Sequence, residues 1–245
     1  MSTTWIILGG SSAMARAFAR AVARQGGSVL LAGRDMDDLA ATAADCRLRG
    51  APLAEAVAFD ARDPSGFGPI LERLAALEGE VSAAVFTGSM PPQAEIDADP
   101  ALIEGVLADS FTGPARFLQA LAPMIEDRGR GTVVGVGSVA GDRGRLGNYV
   151  YGAAKAAFHT YLAGLRNRLG RSGGHVVTVK PGFVDTAMTW GLPGMFLVAA
   201  PDAVAASILR AVRRRRNVIY TPGFWLLIML IIRHVPEPIF KKLKI

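Results

Sequence analysis

Short apolar runs alternate with helical patterns along most of the chain, and this alternation constrains the fold more than any other feature. The apolar runs lie at residues 5–8, 28–32, 56–59, 83–86, 132–136, 175–179 and 218–220. Helical periodicity lies between most of them, at residues 13–24, 36–48, 69–77, 101–125 and 150–169. Buried strands separated by helices predict a parallel sheet covered on both faces. We therefore expect one α/β domain with a doubly wound parallel sheet, a Rossmann fold.

Length and composition are consistent with a single core. The chain has 245 residues, of which 51% are hydrophobic. This supplies enough apolar surface for one large domain and argues against disorder.

Cysteine and histidine usage predicts neither an intrachain disulfide nor a metal site. Cys46 is the single cysteine, and His159, His175 and His234 are scattered along the chain. We expect each histidine to be a core or surface residue. The first residues lack the basic and apolar regions of a signal peptide, which favours a reducing, cytoplasmic location.

The net charge of +6 is concentrated at the C-terminal end. Residues 1–190 hold 18 Lys/Arg and 19 Asp/Glu, whereas residues 191–245 hold 9 Lys/Arg and 2 Asp/Glu. This distribution argues against nucleic-acid binding by the body of the protein. It predicts a local anionic partner for the C-terminal segment.

Ser138, Tyr151 and Lys155 are the strongest candidates for catalysis. Tyr151 and Lys155 are four residues apart and therefore share one face of a helix. An ammonium beside a phenol favours the phenolate, so we expect a lowered pKa for Tyr151 and a role in proton transfer. The Ser138 hydroxyl could hold the carbonyl oxygen that receives the proton.

The first apolar run ends in a glycine turn that is typical of a dinucleotide site. Gly9 allows a tight turn, and the backbone amides at the start of the next helix can face a pyrophosphate. Ala13 and Ala15 stand where later glycines of the usual fingerprint would be.

The end of the second apolar run favours NADPH over NADH as the cofactor. Gly33 stands where an acid would accept a hydrogen bond from the ribose. The guanidinium of Arg34, which follows, could pair with a 2′-phosphate. Asp35 could compete as a ribose acceptor, and Arg34 could also be a solvated turn residue.

Taken together, the motifs of residues 4–190 resemble the short-chain dehydrogenase/reductase family. The turn at residues 9–15 is similar to its Thr-Gly-x-x-x-Gly-x-Gly motif, and Ser138, Tyr151 and Lys155 are similar to its catalytic Ser and Tyr-x-x-x-Lys. By resemblance, the residues that would bind the cofactor are Gly9, Ser11, Ser12, Met14, Arg34, Asp60, Gly88, Tyr151, Lys155, Pro181, Val184 and Thr186.

The resemblance implies hydride transfer from the nicotinamide to a ketone. Tyr151 would protonate the oxygen, Ser138 would polarise it, and Lys155 would lower the pKa of Tyr151 and hold the ribose. Ser110 stands where the family usually has an Asn that completes a proton relay. A serine there could hold a relay water, so Ser110 is a fourth catalytic candidate.

Residues 138–152 and 180–188 resemble a subgroup that contains decaprenylphosphoryl-2-keto-erythro-pentose reductases. Those enzymes reduce a keto sugar attached to a polyprenyl phosphate, so the resemblance implies a lipid-linked or lipophilic ketone. Arg143 and Arg145 could approach a substrate phosphate, or pair with Asp142 or solvent.

The C-terminal segment is apolar and basic. Residues 224–232 are nine consecutive apolar residues, too few to span a bilayer, which takes about 20. Ile239, Phe240 and Leu243 could share one face, surrounded by lysines. We expect peripheral contact with an anionic membrane at its inner face, or packing in a homo-oligomer, or both.

These observations divide the chain into three parts. Residues 1–190 would form the NADP-binding and catalytic body, 191–222 a substrate lid with the last helix and strand, and 223–245 the extension. Residues 191–200 could close over a substrate or form an ordinary packed loop.

Two other functions remain open from the sequence. The chain could be a soluble carbonyl reductase with a small substrate, whose C-terminal segment serves oligomerisation. It could also be an NADPH-binding sensor or scaffold without turnover.

Overall fold

A seven-stranded parallel sheet forms the centre of the molecule. The computed structural model describes residues 3–191 and 194–243. The strands are β1 (Thr3–Leu8), β2 (Ser28–Gly33), β3 (Ala54–Ala58), β4 (Glu80–Val85), β5 (Thr132–Val136), β6 (His175–Pro181) and β7 (Val218–Thr221). Their order across the sheet is β3-β2-β1-β4-β5-β6-β7, and all six neighbouring pairs are parallel. The predicted doubly wound sheet is confirmed.

Helices cover both faces of this sheet. The helices are α1 (Ala13–Ala23), α2 (Met36–Leu48), α3 (Phe67–Ala75), α4 (Gln93–Ala98), α5 (Leu102–Leu107), α6 (Gly113–Arg128), α7 (Tyr149–Leu169), α8 (Pro201–Arg213), α9 (Trp225–His234) and α10 (Glu237–Phe240). Each face of the sheet has its own hydrophobic core. Alternate residues of β1 contribute to one core or the other, because successive side chains of a strand point to opposite faces. Trp5 and Ile7 pack with α1, α2 and α8, while Ile6 and Leu8 pack with α3, α6 and α7.

The sheet reverses its strand order between β1 and β4, which creates the crevice that positions the site. β2 and β3 lie on one side of β1, and β4 through β7 continue on the other. The chain therefore leaves the carboxyl ends of β1 and β4 in opposite directions, which opens a crevice between the two strands. Ligands of doubly wound sheets bind in this crevice.

The predicted helix at residues 101–125 is divided in the structure. It consists of α5, a π-helical turn at Ala108–Thr112, and α6. Pro114 lacks an amide hydrogen and cannot donate to the carbonyl of Ser110, so the regular ladder is interrupted there. The interruption lies where Ser110 enters the protein interior.

The C-terminal segment packs against the end of β6 and the loop after β5. Trp225 is 2% exposed, and a Cβ atom on Gly182 would lie 1.9 Å from its indole ring. Arg143 donates to the carbonyl oxygens of Ile232 (2.5 Å) and Val235 (2.7 Å) at the C-terminal end of α9. The last carbonyl groups of a helix have no hydrogen-bond partner within the helix, and Arg143 supplies one. Its positive charge also interacts favourably with the negative end of the helix dipole.

Two expectations for Arg143 and the C-terminal segment are therefore wrong. The hydrogen bonds of Arg143 go to the end of α9 and to Glu237 rather than to Asp142, and Arg143 is not in the lining of the catalytic cavity. The Arg143 guanidinium donates a hydrogen bond to the Glu237 carboxylate at 2.8 Å. Its central carbon lies 3.5 Å from the ring centre of Phe240. Phe240 is buried beneath this guanidinium, so it does not share the exposed face of Ile239 and Leu243.

The segment proposed as a lid is packed where it is described. The amide of Ala199 donates to Phe183, and the ring of Phe196 lies 5.7 Å from that of Phe183 and 5.5 Å from that of Trp225. Residues 192 and 193 lie outside the described residues. Movement of residues 191–200 over a substrate stays a prediction.

We predict that Trp225→Ala destabilises the protein, because it leaves a large cavity between α9 and Gly182. The expected loss in the free energy of unfolding is about 3–5 kcal/mol, measured by urea denaturation. Leu227→Ala is the matched control on the same helix, since Leu227 is 64% exposed. Its expected effect is within about 0.5 kcal/mol. Equal effects of the two substitutions would show that α9 is not anchored through Trp225.

Candidate active site

The predicted catalytic residues meet at the carboxyl end of β5 and the start of α7. Ser138 follows β5, and its Oγ accepts a hydrogen bond from the amide of Ala140 at 3.1 Å. Tyr151 lies in the first turn of α7 and is 8% exposed. Both side chains line one cavity of about 110 Å³. The fold therefore places a hydroxyl and a phenol where they can reach the same ligand atom.

Burial sets the protonation state of Tyr151. Desolvation raises the pKa of this phenol to about 12, against smaller lowering effects from the Ser138 hydroxyl and the charge of Arg145. The expectation of a lowered Tyr151 pKa is therefore wrong, because burial outweighs the lowering that the Lys155 ammonium was expected to cause. The result is a phenol that is protonated at neutral pH, which is the form that an acid in ketone reduction needs.

Lys155 ties the ends of two strands together. Its Nζ donates to the carbonyl oxygens of Thr87 (3.1 Å) and Val136 (3.2 Å), just beyond β4 and at the end of β5. It lies 5.7 Å from the ring centre of Tyr151. Burial lowers the pKa of Lys155 to about 8, so its charge is present below that pH and is lost as the pH rises through it.

Ser110 and Gly88 border the other side of Lys155. The Ser110 Oγ is buried and accepts from the amide of Ser89 at 3.4 Å. A Cβ atom on Gly88 would lie 3.1 Å from Lys155 Nζ and 3.2 Å from Ser110 Oγ. The π-helical turn thus brings Ser110 close to the lysine, as a relay role would require. That role stays a prediction.

A buried polar network supports Ser138 from behind. The amide of Ser138 donates to His159 Nε2 at 3.3 Å, and His159 Nδ1 lies 3.8 Å from Asp142. The Asp142 carboxylate also binds Lys180 at 2.5 Å and Tyr220 at 2.6 Å. Burial lowers the pKa of His159 to about 3, so the ring is neutral and can accept the Ser138 hydrogen bond.

A second cavity, of about 230 Å³, lies at the crevice between β1 and β4. It contains six residues that the sequence assigned to the cofactor: Gly9, Ser11, Ser12, Arg34, Asp60 and Gly88. Of the other six, Met14, Tyr151, Pro181, Val184 and Thr186 line the catalytic cavity instead, and Lys155 is in the lining of neither cavity. The predicted residues therefore form two adjoining groups, as a ligand that extends between them would require.

The first group fits a dinucleotide. Gly9 has a φ of +77°, and a Cβ atom there would lie 3.0 Å from the Thr87 nitrogen, so a side chain would fill the crevice. The Ser12 side chain caps α1 by accepting from the amide of Ala15 at 3.2 Å. Thr87 Oγ1 is buried without a hydrogen-bond partner among the described residues and is available to a ligand.

Arg34 and Asp35 occupy different environments in the structure. Asp35 caps α2, because its carboxylate accepts from the amide of Asp38 at 3.1 Å. Arg34 instead lines the nucleotide cavity, and the neighbouring Gly33 adds no side chain. The position after β2 therefore offers a cation to the ligand.

Comparison with known proteins places the chain in a family. A family model described as short chain dehydrogenase matches residues 3–194. An uncharacterized oxidoreductase of Mycobacterium tuberculosis is 33% identical over 97% of this chain and 96% of its own length. The chain belongs to the short-chain dehydrogenase family. It is therefore an NAD(P)-binding oxidoreductase of this family.

Other relatives agree over nearly the whole length. An uncharacterized oxidoreductase of Streptomyces coelicolor is 30% identical over 97% of this chain and 94% of its own. A short-chain dehydrogenase from Sphingobium yanoikuyae, solved in complex with NADPH, is 26% identical, with a TM-score of 0.77 and 97% of each chain covered.

Several residues of this short-chain dehydrogenase site were missed from the sequence. Asn148 lines the catalytic cavity beside Arg145, which the sequence had offered for a substrate phosphate, and Thr87 lines the nucleotide cavity. His159 was expected to be a core or surface residue, and its contact with Ser138 has no local sequence signal. Within residues 3–191 and 194–243, no cluster of His, Cys, Asp or Glu could hold a metal ion.

We predict a pH-dependent loss of stability that depends on His159. The folded protein keeps this ring neutral to about pH 3, while the unfolded chain binds a proton below about pH 6.5. Stability therefore falls as the pH falls, by about 2 kcal/mol from pH 7 to pH 5 through this residue. His159→Gln keeps an acceptor for the Ser138 amide but does not titrate. Denaturation of both proteins at pH 7 and pH 5 should show the smaller loss in the variant, and parallel losses would refute the assignment.

Proposed function

We propose that this short-chain dehydrogenase reduces a lipophilic ketone to an alcohol with NADPH, and that the ketone is lipid-linked. The observation that carries the reductase proposal is the position of Ser138 and Tyr151. Both line one cavity beside the nucleotide crevice, with Tyr151 held in its protonated form. NADPH, when bound, supplies the hydride that the carbonyl carbon receives.

The protein residues act on the carbonyl oxygen. Ser138 donates a hydrogen bond to it and stabilises the negative charge that develops there. Tyr151 then transfers its hydroxyl proton to this oxygen, which completes the alcohol. Lys155 contributes a buried positive charge near the phenolate that remains, and this charge favours the proton transfer.

Arg34 supports the choice of NADPH over NADH. Its guanidinium lines the nucleotide cavity directly after Gly33, the position where an NAD-dependent site would place an acid. Arginine binds a phosphate through two parallel hydrogen bonds, which suits a ribose 2′-phosphate.

A largely apolar groove, which Arg62, Ser89 and Glu104 also line, lies beside the catalytic cavity and supports a lipophilic substrate. The groove has a volume of about 920 Å³ and shares Met90 and Met188 with the catalytic cavity. Its other apolar lining residues are Pro91, Ala101, Leu102, Val106, Ala108 and Ala187. A chain attached to the ketone could leave the site along this groove.

The outer face of α9 supports contact with a membrane. Trp225 and Met229 are buried, whereas four other apolar residues of the helix are more than half exposed. These four, which we call the outer face, are Leu226, Leu227, Leu230 and Ile231. Arg233, Lys241 and Lys242 follow it and provide the cations that attract an anionic lipid surface.

The outer face would lie on the membrane and not cross it. Within residues 3–191 and 194–243, no helix combines the length and the apolar character that crossing a bilayer requires. The same face could instead pack against a second subunit, so membrane contact and homo-oligomerisation are tested together below.

We predict that Tyr151→Phe lowers ketone reduction by at least about 100-fold, because the ring remains but the proton is lost. The measurement is oxidation of NADPH with a panel of lipophilic ketones, compared with NADH. NADPH binding, followed by its fluorescence, is the control and should be unchanged. Reduction that survives in the variant would refute the mechanism. Binding of NADPH without reduction by the wild type would favour the sensor hypothesis.

We predict that the protein floats with vesicles of phosphatidylcholine and phosphatidylglycerol in equal parts, and not with phosphatidylcholine alone. The double substitution Leu227→Ser with Ile231→Ser should abolish flotation, since it removes the apolar contact but leaves Trp225 in place. Leu48→Ser, at the exposed end of α2, is the matched control. Flotation by the double variant would refute the membrane role. A change in sedimentation without flotation of any form would assign the face to a subunit interface.

A further inference from the structure

The catalytic cavity contains a cation that the reduction of a simple ketone does not need. Arg145 lines this cavity together with Ser138 and Tyr151. Its Nε is buried and has no hydrogen-bond partner among the described residues. A buried guanidinium nitrogen that has no hydrogen-bond partner carries an energetic cost, so its position calls for an explanation.

Among the described residues, no carboxylate forms an ion pair with Arg145. The carboxylate whose charge acts on it is Asp142, and this group is already bound to Lys180 and Tyr220. Burial lowers the pKa of Arg145, which reflects the loss of hydration around the guanidinium. An anion that entered the cavity would replace this missing hydration.

Asn148 presents a second free polar group to the same cavity. It stands before the first residue of α7, where an Asn side chain usually accepts from an amide of the first turn. Here Gln93 accepts from the amide of Val150 at 3.2 Å, and Asn148 makes no such bond. Asn148 Oδ1 is therefore buried without a partner and lines the cavity.

We propose that Arg145 and Asn148 form a subsite for an oxyanion and a hydroxyl group carried by the ketone substrate. Arg145 binds the oxyanion, with phosphate as the group best matched to its planar donors. Asn148 bonds the hydroxyl. Both residues are substrate-specificity residues of the site that holds Ser138 and Tyr151. The proposal rests on the proposed ketone reduction and narrows its substrate to hydroxylated, anionic ketones.

The test compares dihydroxyacetone phosphate with dihydroxyacetone, which share a ketone and a hydroxyl and differ in the phosphate. We expect the wild type to reduce the phosphorylated ketone with a kcat/KM at least about tenfold higher, as a charge-assisted hydrogen bond allows. In Arg145→Met this ratio should fall by about tenfold or more. Arg145→Lys should restore part of it. Arg214→Met, on an exposed arginine of the distant turn after α8, should leave the ratio unchanged.

The octyl ester of dihydroxyacetone phosphate distinguishes the two sources of such a phosphate. A preference for the ester that also depends on Arg145 would point to a lipid-linked substrate. A preference for the free phosphate would point to a soluble one, with the subsite unchanged.

Calorimetric titration separates a failure of this proposal from a failure of the proposed function. The NADPH-loaded protein should bind glycerol phosphate more tightly than glycerol, and Arg145→Met should remove the difference. If the protein reduces no ketone, this titration still decides whether the subsite exists. Equal affinity of the wild type and Arg145→Met for glycerol phosphate, or equal kcat/KM ratios, would overturn the proposal.

Discussion

The parallel pairing of β1 with β4 is the constraint on which the rest of the site depends. It brings Gly9 and Thr87 together at the carboxyl ends of two strands whose helices leave in opposite directions. The gap between them accepts a ligand because neither side carries a bulky group, and a Cβ atom at Gly9 would already crowd the Thr87 backbone. Lys155 then bonds the carbonyl of Thr87 and joins this crevice to the catalytic residues of α7.

Burial controls the chemistry of the catalytic residues more than their spacing does. The pKa of Tyr151 is raised and that of Lys155 is lowered, because both are desolvated in the same interior region. The neutral His159 behind Ser138 has the same origin, and its neutrality lets it accept the Ser138 amide. The site thus combines a protonated phenol at Tyr151, a buried ammonium at Lys155 and a Ser138 whose backbone amide is bound by His159.

The C-terminal segment is connected to the active site by the loop between β5 and α7. Arg143 binds the end of α9, and two residues later Arg145 enters the catalytic cavity. Trp225 packs on Gly182, whose neighbour Pro181 lines that cavity. The packed side of α9 therefore lies against elements that shape the catalytic cavity.

The sequence by itself determined the alternating strands and helices, the single parallel sheet and the adjoining positions of Ser138, Tyr151 and Lys155. Those features follow from local periodicity, from the i, i+4 spacing on α7 and from the common edge at which parallel strands end. The tertiary structure alone decided the π-helical turn at Ser110, the partners of Arg143 and the direction of the Tyr151 pKa. Each of these depends on what distant segments place nearby: α9 next to Arg143, and enough packed atoms around Tyr151 to exclude water. Arg143 and Arg145 were equivalent in the sequence, and only the position of α9 made one a structural contact and left the other facing the cavity.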